Sequence, residues 1–267
     1  MVGAFRSPLA PDALADSVAI VTGGGTGIGA ATARAIVGAG GRVAICGRRP
    51  DPLESVRSAL GDACFARPCD IREPEQVSAF LDAVGERFDR VNVLVNNAGG
   101  QFAAPLEGTS LKGLRAVHRL NVDATWDVTT KVAERWMIPQ RAGFIAFLGF
   151  SPRRGIPSVV PSSMARSALE TFAAGIALEW SRYGIRAVCV APGLIQTEGL
   201  EQYGGPDAID GFAAQVPLRR AGTPEEVAAT IAFLATEGGG YITGSTVIVD
   251  GGADAWGQGD RPPALET

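Results

Sequence analysis

Short apolar runs alternate with longer amphipathic segments along most of the chain. Seven runs, rich in β-branched and small apolar residues, occupy residues 17–23, 41–47, 63–70, 91–97, 143–149, 185–193 and 245–252. Apolar runs that do not alternate with polar residues are typical of strands buried on both faces of a parallel sheet. Helical spacing and length are found between the runs, at residues 28–39, 52–60, 74–87 and 163–183. The pattern therefore predicts repeated strand–helix units.

Strand–helix units with right-handed crossovers assemble into an α/β fold, with helices on both faces of a doubly wound, mostly parallel sheet. A chain of 267 residues, of which 46% are hydrophobic, suits one such domain rather than two. We place this single Rossmann-fold domain at residues 16–252. Residues 1–15 are predicted to form a flexible N-terminal arm, and residues 253–267, rich in glycine and proline, an irregular C-terminal tail.

Composition narrows the classes of partner. The net charge of −4 argues against nucleic acid or an anionic membrane surface. Four cysteines without a CxxC pair and a single histidine do not supply a metal site, so no metal is expected. The chain also lacks a long apolar span and the basic-then-apolar start of a secretory leader. These features predict a cytoplasmic protein that acts on a small molecule.

A glycine-rich turn, TGGGTGIG at Thr22–Gly29, joins the first predicted strand to the first predicted helix. Gly23 permits the tight turn, Gly27 lets the backbone approach a pyrophosphate, and Gly29 lets the helix pack on the strand. The free N–H groups of the helix N-terminus then face the phosphates. A plain tight turn is the alternative, but the flanking strand and helix favour a dinucleotide site. The cofactor-binding residues predicted in this turn are Thr22, Gly23, Gly25, Thr26, Gly27, Ile28 and Gly29.

The end of the second predicted strand indicates which dinucleotide binds. NAD enzymes usually carry an acidic residue here for the ribose hydroxyls, whereas this chain has Gly47 followed by Arg48 and Arg49. Two guanidinium groups can bind a 2′-phosphate together. An ordinary exposed surface is the alternative interpretation, but the missing acid favours NADP(H) as the cofactor.

Further short motifs follow the glycine turn in a fixed order. They are CDI at residues 69–71, NNAG at 96–99, LNV around Asn121, APG at 191–193, and ITG…VDGG near the end. In order and spacing they resemble the short-chain dehydrogenase/reductase superfamily over residues 15–252. Within that superfamily the pattern is most similar to the 2,4-dienoyl-CoA and trans-2-enoyl-CoA reductases.

The resemblance implies a further set of cofactor contacts along the same crevice. Asp70 and Ile71 would contact the adenine. Asn97, Ala98 and Gly99 would line the ribose. The nicotinamide end would be lined by Pro192, Gly193, Ile195 and Thr197. It also implies a homodimer or homotetramer. The helix at 163–183 and the C-terminal strand and tail would then form the interfaces.

The usual catalytic residues of the superfamily are replaced. Most members use a serine, a tyrosine and a lysine, and the ammonium lowers the pKa of the phenol that donates the proton. Alignment through ARSALE puts Gly149, Ser162 and Arg166 in these three places. Two related enoyl-reductase patterns put the tyrosine at Ser151 or at Val159 instead. The tyrosines of the chain all lie downstream, at Tyr183, Tyr203 and Tyr241.

The residues in these places keep part of the chemistry. Arg166 retains the positive charge and can bind the ribose hydroxyls, but a guanidinium does not shuttle protons. Ser162 and Ser151 can donate hydrogen bonds to a substrate oxygen, or can cap a helix and a loop. The resemblance implies that Asn121 holds a structural water at a backbone kink.

Two more residues are candidates for the substrate half of the site. Tyr203 lies in the segment that corresponds to the superfamily's substrate lid, where it can supply a phenol or an apolar contact. His118, one turn before Asn121, can face the site or pack as an ordinary helix residue.

Intact cofactor motifs beside replaced catalytic residues leave more than one function open. The leading hypothesis is an NADPH-dependent reductase that transfers hydride to a conjugated enoyl or ketone substrate, whose oxygen needs only hydrogen bonding. Water would then deliver the proton. The alternative is a cofactor-binding homologue without redox turnover, acting as a scaffold, a sensor or a non-redox cyclase. A dehydrogenase with an unrecognised base is a third hypothesis.

Overall fold

The computed structural model describes residues 5, 7–151, 153, 156–197 and 211–256. The strands in this part of the chain are β1 (Val18–Thr22), β2 (Arg42–Gly47), β3 (Cys64–Pro68), β4 (Val93–Asn96), β5 (Gly143–Leu148), β6 (Ile185–Pro192) and β7 (Thr246–Val249). They form one sheet in the order β3-β2-β1-β4-β5-β6-β7, and every neighbouring pair is parallel. The predicted parallel sheet is confirmed.

The helices are α1 (Gly27–Gly38), α2 (Pro50–Leu60), α3 (Pro74–Arg87), α4 (Leu111–His118), α5 (Ala124–Val132), α6 (Ile138–Gln140), α7 (Val160–Glu179), α8 (Pro224–Ala235) and α9 (Ala253–Trp256). π-Helical turns at Arg119–Asp123 and Ala133–Met137 join α4, α5 and α6 into one continuous helical segment. Proline lies in the first turn of α2, α3, α7 and α8, where its missing N–H removes no intrahelical bond. No helix in the described ranges is long and apolar enough to cross a membrane.

Side chains on both faces of the sheet are buried, as the unbroken apolar runs predict. Neighbouring residues of β1 belong to two different apolar clusters. Ile20 lies in the cluster that α3, α5 and α7 cover, and Val21 in the cluster that α1, α2 and α8 cover. Both side chains are completely buried. The domain therefore has three layers, with helices on both faces of the sheet.

The strand order places a crevice in the middle of the sheet. β1 pairs with β2 on one side and with β4 on the other, so the chain crosses over in opposite directions from this point. Ligands of open α/β sheets bind where the order reverses, at the carboxyl ends of the strands. Thr22 ends β1 and Asn96 ends β4. The glycine turn and the NNAG motif therefore meet at the crevice.

Four parts of the chain differ from the prediction. The helical segment at 111–140 and the helix α8 are not among the predicted helical segments. In the first of these, π-helical turns move the apolar positions out of a regular 3.6-residue period. The helix α9 lies in the tail expected to be irregular, and the Asp250 carboxylate accepts the Asp254 N–H at its start at 2.7 Å. Leu14, in the predicted flexible arm, is buried and donates its N–H to the Ala39 carbonyl at 2.8 Å. The last residues of that arm thus pack on the domain.

Candidate active site

The glycine turn has the backbone geometry that a dinucleotide site requires. Gly23 and Gly27 have φ angles of 66° and 52°, in the left-handed region that favours glycine. A Cβ atom on Gly29 would lie 2.2 Å from the carbonyl oxygen of Gly23, so only glycine lets α1 come this close to the turn. The Gly24 N–H donates to the Cys46 carbonyl at 3.1 Å and ties the turn to β2. These conformations are the ones that the predicted roles of Gly23 and Gly29 need.

The other residues of the turn leave the N-terminus of α1 open. Thr26 precedes the helix in an extended conformation, and its side chain makes no capping hydrogen bond. The first N–H groups of a helix have no intrahelical partner, so they are available to an anion. A Cβ atom on Gly27 would lie 3.3 Å from Cγ2 of Thr197, and one on Gly25 would lie 3.2 Å from Pro52. Ile28 turns away and packs on the apolar cluster beneath α1.

Thr22 and Asn97 hold the crevice in shape rather than lining it with free polar groups. The Thr22 hydroxyl accepts the N–H groups of Asn97 and Ala98 at 3.1 and 3.0 Å. The Asn97 side-chain amide donates to the carbonyls of Thr22 and Gly23 at 2.9 and 3.1 Å. These bonds fix the carboxyl end of β4 to the glycine turn. Both residues therefore act on the cofactor site by positioning its backbone.

The end of the crevice that is predicted to hold the adenosine carries two exposed cations. Arg48 and Arg49 are exposed, and neither makes an ion pair with another described residue. Asp70 is bound by Arg72, whose guanidinium approaches the carboxylate to 2.5 Å and lowers the pKa of Asp70. The Ile71 side chain is buried in the core.

Asn121, Arg166 and Gly99 come together at the opposite end of the crevice. Asn121 is buried in the π-helical turn after α4, and its amide donates to the carbonyls of Gly100 and Val117 at 2.9 Å each. A Cβ atom on Gly99 would lie 2.7 Å from Oδ1 of Asn121 and 2.1 Å from a guanidinium nitrogen of Arg166. The structure thus assembles three of the predicted site residues, which are distant in sequence.

Arg166 is a desolvated cation without a carboxylate partner among the described residues. One guanidinium nitrogen donates to the Leu148 carbonyl at 2.5 Å. Its surroundings are densely packed, and this burial lowers the pKa of Arg166 to about 10, so the group is still charged at neutral pH. The Arg166 side chain is half-buried, and a charge that has lost part of its hydration costs free energy unless it is paired. The charge is therefore available to an oxygen-rich or anionic ligand in the crevice.

Gly149, at the place of the family's serine, is sterically matched to Cys189. A Cβ atom on Gly149 would lie 2.6 Å from the Cys189 sulfur, which fills the space that a serine side chain needs. Burial raises the pKa of Cys189 to about 12, so the thiol stays neutral and acts as a small apolar group. The glycine and the cysteine together exclude a serine from this position.

The two candidate serines have different environments. The Ser162 hydroxyl, in the first turn of α7, is buried and has no hydrogen-bond partner among the described residues. The Ser151 hydroxyl donates to the Asp250 carboxylate, and its N–H donates to the Pro192 carbonyl at 3.0 Å. Ser162 thus has an unused hydroxyl among the described residues, whereas the Ser151 proton is already used in holding the loop after β5.

The residues predicted at the nicotinamide end lie on the segment that leaves β6. A Cβ atom on Gly193 would lie 2.6 Å from Cβ of Asp250, so glycine is required where this segment passes the end of β7. Ile195 is buried and pairs through its backbone with Gly222. Thr197 reaches Gly27 of the glycine turn. Tyr203 lies outside the described residues.

Sequence reasoning missed one residue near the site and left the role of another open. Asp250 belongs to the VDGG motif, but its bond to Ser151 joins residues 99 positions apart, which no local pattern reveals. His118 has a buried Nε2 atom without a partner among the described residues, at the end of α4, which packs against α7. Its position one turn before Asn121 is the only sequence signal for it.

The sequence profile of a family described as Enoyl-(Acyl carrier protein) reductase matches residues 23–254. The chain belongs to the short-chain dehydrogenase/reductase family. The resemblance found in the motifs is confirmed, and the chain is an oxidoreductase of this family, whose members use a nicotinamide cofactor.

Similar proteins of this family include two named as dienoyl-CoA reductases. The peroxisomal 2,4-dienoyl-CoA reductase of Danio rerio is 32% identical over 249 residues, which cover 91% of this chain and 83% of that protein. The probable 2,4-dienoyl-CoA reductase of Bacillus subtilis (strain 168) is 33% identical over 242 residues, covering 87% of this chain and 94% of that protein.

Solved structures show the same architecture. The citronellol catabolism dehydrogenase of Pseudomonas aeruginosa PAO1 superimposes with a TM-score of 0.83 at 32% identity, covering 94% of this chain and all of that chain. Levodione reductase superimposes with a TM-score of 0.85 at 26% identity, covering 91% of this chain and 99% of that chain. The single Rossmann-like domain is confirmed.

Proposed function

We propose that the protein is an NADPH-dependent reductase of conjugated enoyl or dienoyl thioesters, with conjugated ketones as a related substrate class. The observation that carries the proposal is the desolvated Arg166 cation, which lies beside Gly99 and Asn121 without a carboxylate partner in the described structure. Relatives named 2,4-dienoyl-CoA reductases favour the same substrate class.

The described residues fit a phosphorylated dinucleotide. Left-handed glycines and the open N-terminus of α1 suit the pyrophosphate. Arg48 and Arg49, exposed and without ion pairs among the described residues, suit a 2′-phosphate, since β2 ends in Gly47 rather than in an acidic residue. When bound, NADPH supplies the hydride.

The substrate half of the site would then stabilise charge rather than donate a proton. Reduction of a conjugated thioester develops negative charge on the thioester oxygen, and fixed donors in a low-dielectric site stabilise such charge strongly. Ser162 has a buried hydroxyl that can donate a hydrogen bond to this oxygen. Arg166 would hold the ribose hydroxyls and contribute its positive charge. Neither side chain is an efficient proton donor, so the proton on carbon would come from water.

Asn121 would act by positioning the residues around it. Its side chain fixes both the N–H and the carbonyl of Gly100, at 3.3 and 2.9 Å, and thereby the loop that follows β4. This loop carries Gly99 past Arg166. A shift of the loop would change the space between the guanidinium and the crevice.

The test combines binding and turnover. NADPH and NADH are titrated by protein fluorescence, and the loss of NADPH absorbance is then followed with enoyl-CoA, dienoyl-CoA and conjugated ketone substrates. Preferential binding of NADPH and turnover of a conjugated thioester are expected. Tight NADPH binding without absorbance loss across the whole panel would contradict the proposal.

The same experiment addresses the alternative, a cofactor-binding protein without redox turnover. Replacement of all three usual catalytic residues, at Gly149, Ser162 and Arg166, favours it. A protein of this kind would bind NADPH without turnover, and Ser162→Ala would not change its affinity for NADPH. Arg166→Gln would then weaken NADPH binding and affect no reaction.

A homo-oligomer is part of the proposal. On α5, Trp126 is 58% exposed and stacks on Phe172 of α7 at 4.9 Å, and Leu178 near the end of α7 is 81% exposed. Large exposed apolar side chains of this kind are typical of protein interfaces. Sedimentation of Leu178→Glu should show dissociation, whereas Leu106→Glu, also exposed but outside α7, should not. The cytoplasmic location stays a prediction, since some relatives are named as peroxisomal.

A further inference from the structure

The loop after β5 is bound to the turn that follows β7, near the C-terminal end of the described chain. Ser151 donates its hydroxyl proton to the Asp250 carboxylate. Two residues further on, the backbone N–H of Arg153 donates to Oδ1 of Asp254 at 2.8 Å. The loop is thus held at two points by two neighbouring carboxylates.

Both carboxylates are themselves held in place. Asp250 accepts the N–H groups of Gly252 and Asp254, at 2.8 and 2.7 Å, and so fixes the start of α9. Asp254 is only 7% exposed, and a carboxylate removed from water to this extent needs hydrogen-bond donors. Arg153 provides them, with its backbone N–H and with Nε, which lies 3.5 Å from Oδ2.

Arg153 also connects the loop to the helix that carries Ser162 and Arg166. Its guanidinium lies 3.0 Å from the Glu170 carboxylate of α7, and this contact raises the pKa of Arg153. Glu170 accepts the hydroxyl of Thr246 on β7 at 3.0 Å. The loop after β5, the catalytic helix and the last strand are therefore joined by one polar network.

We infer that Asp254, together with Asp250, positions the loop after β5 for the reaction. We call the four residues Ser151, Arg153, Asp250 and Asp254 the C-terminal latch. None of them needs to touch the substrate; the latch acts by restricting the loop that leads from β5 to α7, the helix that carries Ser162. Misplacing catalytic groups by about 1 Å can cost on the order of 100-fold in rate, so loss of the latch should slow the reaction.

The inference rests on the proposed function for its activity readout, and a second readout is independent of it. Asp254→Ala removes both bonds to Arg153, Asp254→Asn keeps an oxygen for the Arg153 N–H, and Arg153→Gln removes only the charged contacts. Asp82→Ala is the matched control. Asp82 lies on the remote helix α3, and its substitution breaks an ion pair with Arg135. Hydrogen exchange of the peptide covering 149–153 is measured for each variant, with thermal unfolding to verify folding.

For Asp254→Ala we expect faster exchange in this peptide, a kcat lower by about tenfold and an NADPH Kd changed by less than about twofold. Asp254→Asn should recover most of the rate, Arg153→Gln should be intermediate, and Asp82→Ala should match the unmodified chain. Unchanged exchange in both Asp254→Ala and Arg153→Gln would overturn the latch, as would faster exchange with an unchanged kcat. Faster exchange in a chain that reduces no substrate would retain the latch and refute the proposed reductase.

Discussion

The cofactor half and the substrate half of the site differ in how they keep the family pattern. In the cofactor half, the motif residues and their geometry are both present, because Gly23 and Gly27 have positive φ angles and Gly29 lies against the Gly23 carbonyl. In the substrate half, side chains are exchanged and neighbours fill the space, as Cys189 does beside Gly149. A backbone carbonyl cannot be substituted, whereas a side chain can. The turn is therefore firmer evidence for a cofactor than the helix is for a reaction.

The largest effect is expected at Gly29. In Gly29→Ala, the new Cβ would meet the Gly23 carbonyl at 2.2 Å, so the turn must move. We expect a loss of about 3 kcal/mol in the free energy of unfolding, at the upper end of the cost of overpacking, and NADPH binding weakened beyond detection by fluorescence. Gly38→Ala is the control in the same helix, where nothing lies within 4 Å, and should gain about 0.5–1 kcal/mol. Equal NADPH affinity in both variants would show that the close packing of α1 is unimportant.

The next effect tests whether the half-buried cation of the substrate half is used. Arg166→Gln removes the charge and should lower kcat/KM by about 100-fold, the usual cost of losing one donor to a developing oxyanion. The kcat/KM of Arg166→Lys should lie between those of the unmodified chain and Arg166→Gln, since lysine keeps the charge but lacks the planar guanidinium group.

A second half-buried arginine provides the control for that measurement. Burial also lowers the pKa of Arg186, but its guanidinium donates to the carbonyls of Leu234, Gly239 and Ile242 at 2.8 to 3.1 Å, at the opposite end of β6. Arg186→Gln should cost about 1–3 kcal/mol in the free energy of unfolding and leave kcat/KM unchanged. If both variants lose stability and neither loses activity, Arg166 is structural.

A smaller effect tests side-chain compensation. Gly149→Ser should lower the free energy of unfolding by about 2 kcal/mol, because the added atoms meet the Cys189 sulfur at 2.6 Å. Adding Cys189→Ala should recover most of that loss, so the two changes should be strongly coupled in urea unfolding. Additive losses would mean that the sulfur and the new side chain do not compete for one space.

The smallest effect concerns cofactor choice. Arg48→Ala with Arg49→Ala should raise the Kd for NADPH about tenfold, or about 1.4 kcal/mol, and leave the Kd for NADH unchanged. Fluorescence titration at two salt concentrations measures this, and the difference between cofactors should shrink in high salt. Equal losses for both cofactors would contradict recognition of a 2′-phosphate. Arg57→Ala, which breaks an exposed ion pair with Glu54 on α2, is the matched control.

Local patterns predict the sheet, the glycine turn and some of the helices. Each strand of the described sheet lies within a predicted apolar run. The central strands are buried on both faces, which leaves an unbroken apolar signal, whereas the edge strands β3 and β7 are only partly buried. The helical segment at 111–140 lacks a regular signal, because π-helical turns interrupt its period. Regular spacing alone is not sufficient, since the regular helix α8 is not predicted either.

The candidate site shows the same limit at longer range. Alignment locates Gly149, Ser162 and Arg166 but not what surrounds them. The Cys189 sulfur beside Gly149 and the Asp250 carboxylate on Ser151 come from strands far along the chain. Only the folded sheet brings β5, β6 and β7 together, so the sequence predicts which residues are replaced and not how their neighbours compensate.

The shared volume of Gly149 and Cys189 also constrains the order in which substitutions can accumulate. Shortening Cys189 first leaves a small void, which costs about 1 kcal/mol and is tolerable in a domain of this size. A serine introduced at position 149 can then occupy that void. In the reverse order, the chain passes through an overpacked core. A lineage that gains a serine at position 149 should therefore change Cys189 before Gly149. A lineage that loses that serine should change position 149 back to glycine before it restores the cysteine at position 189.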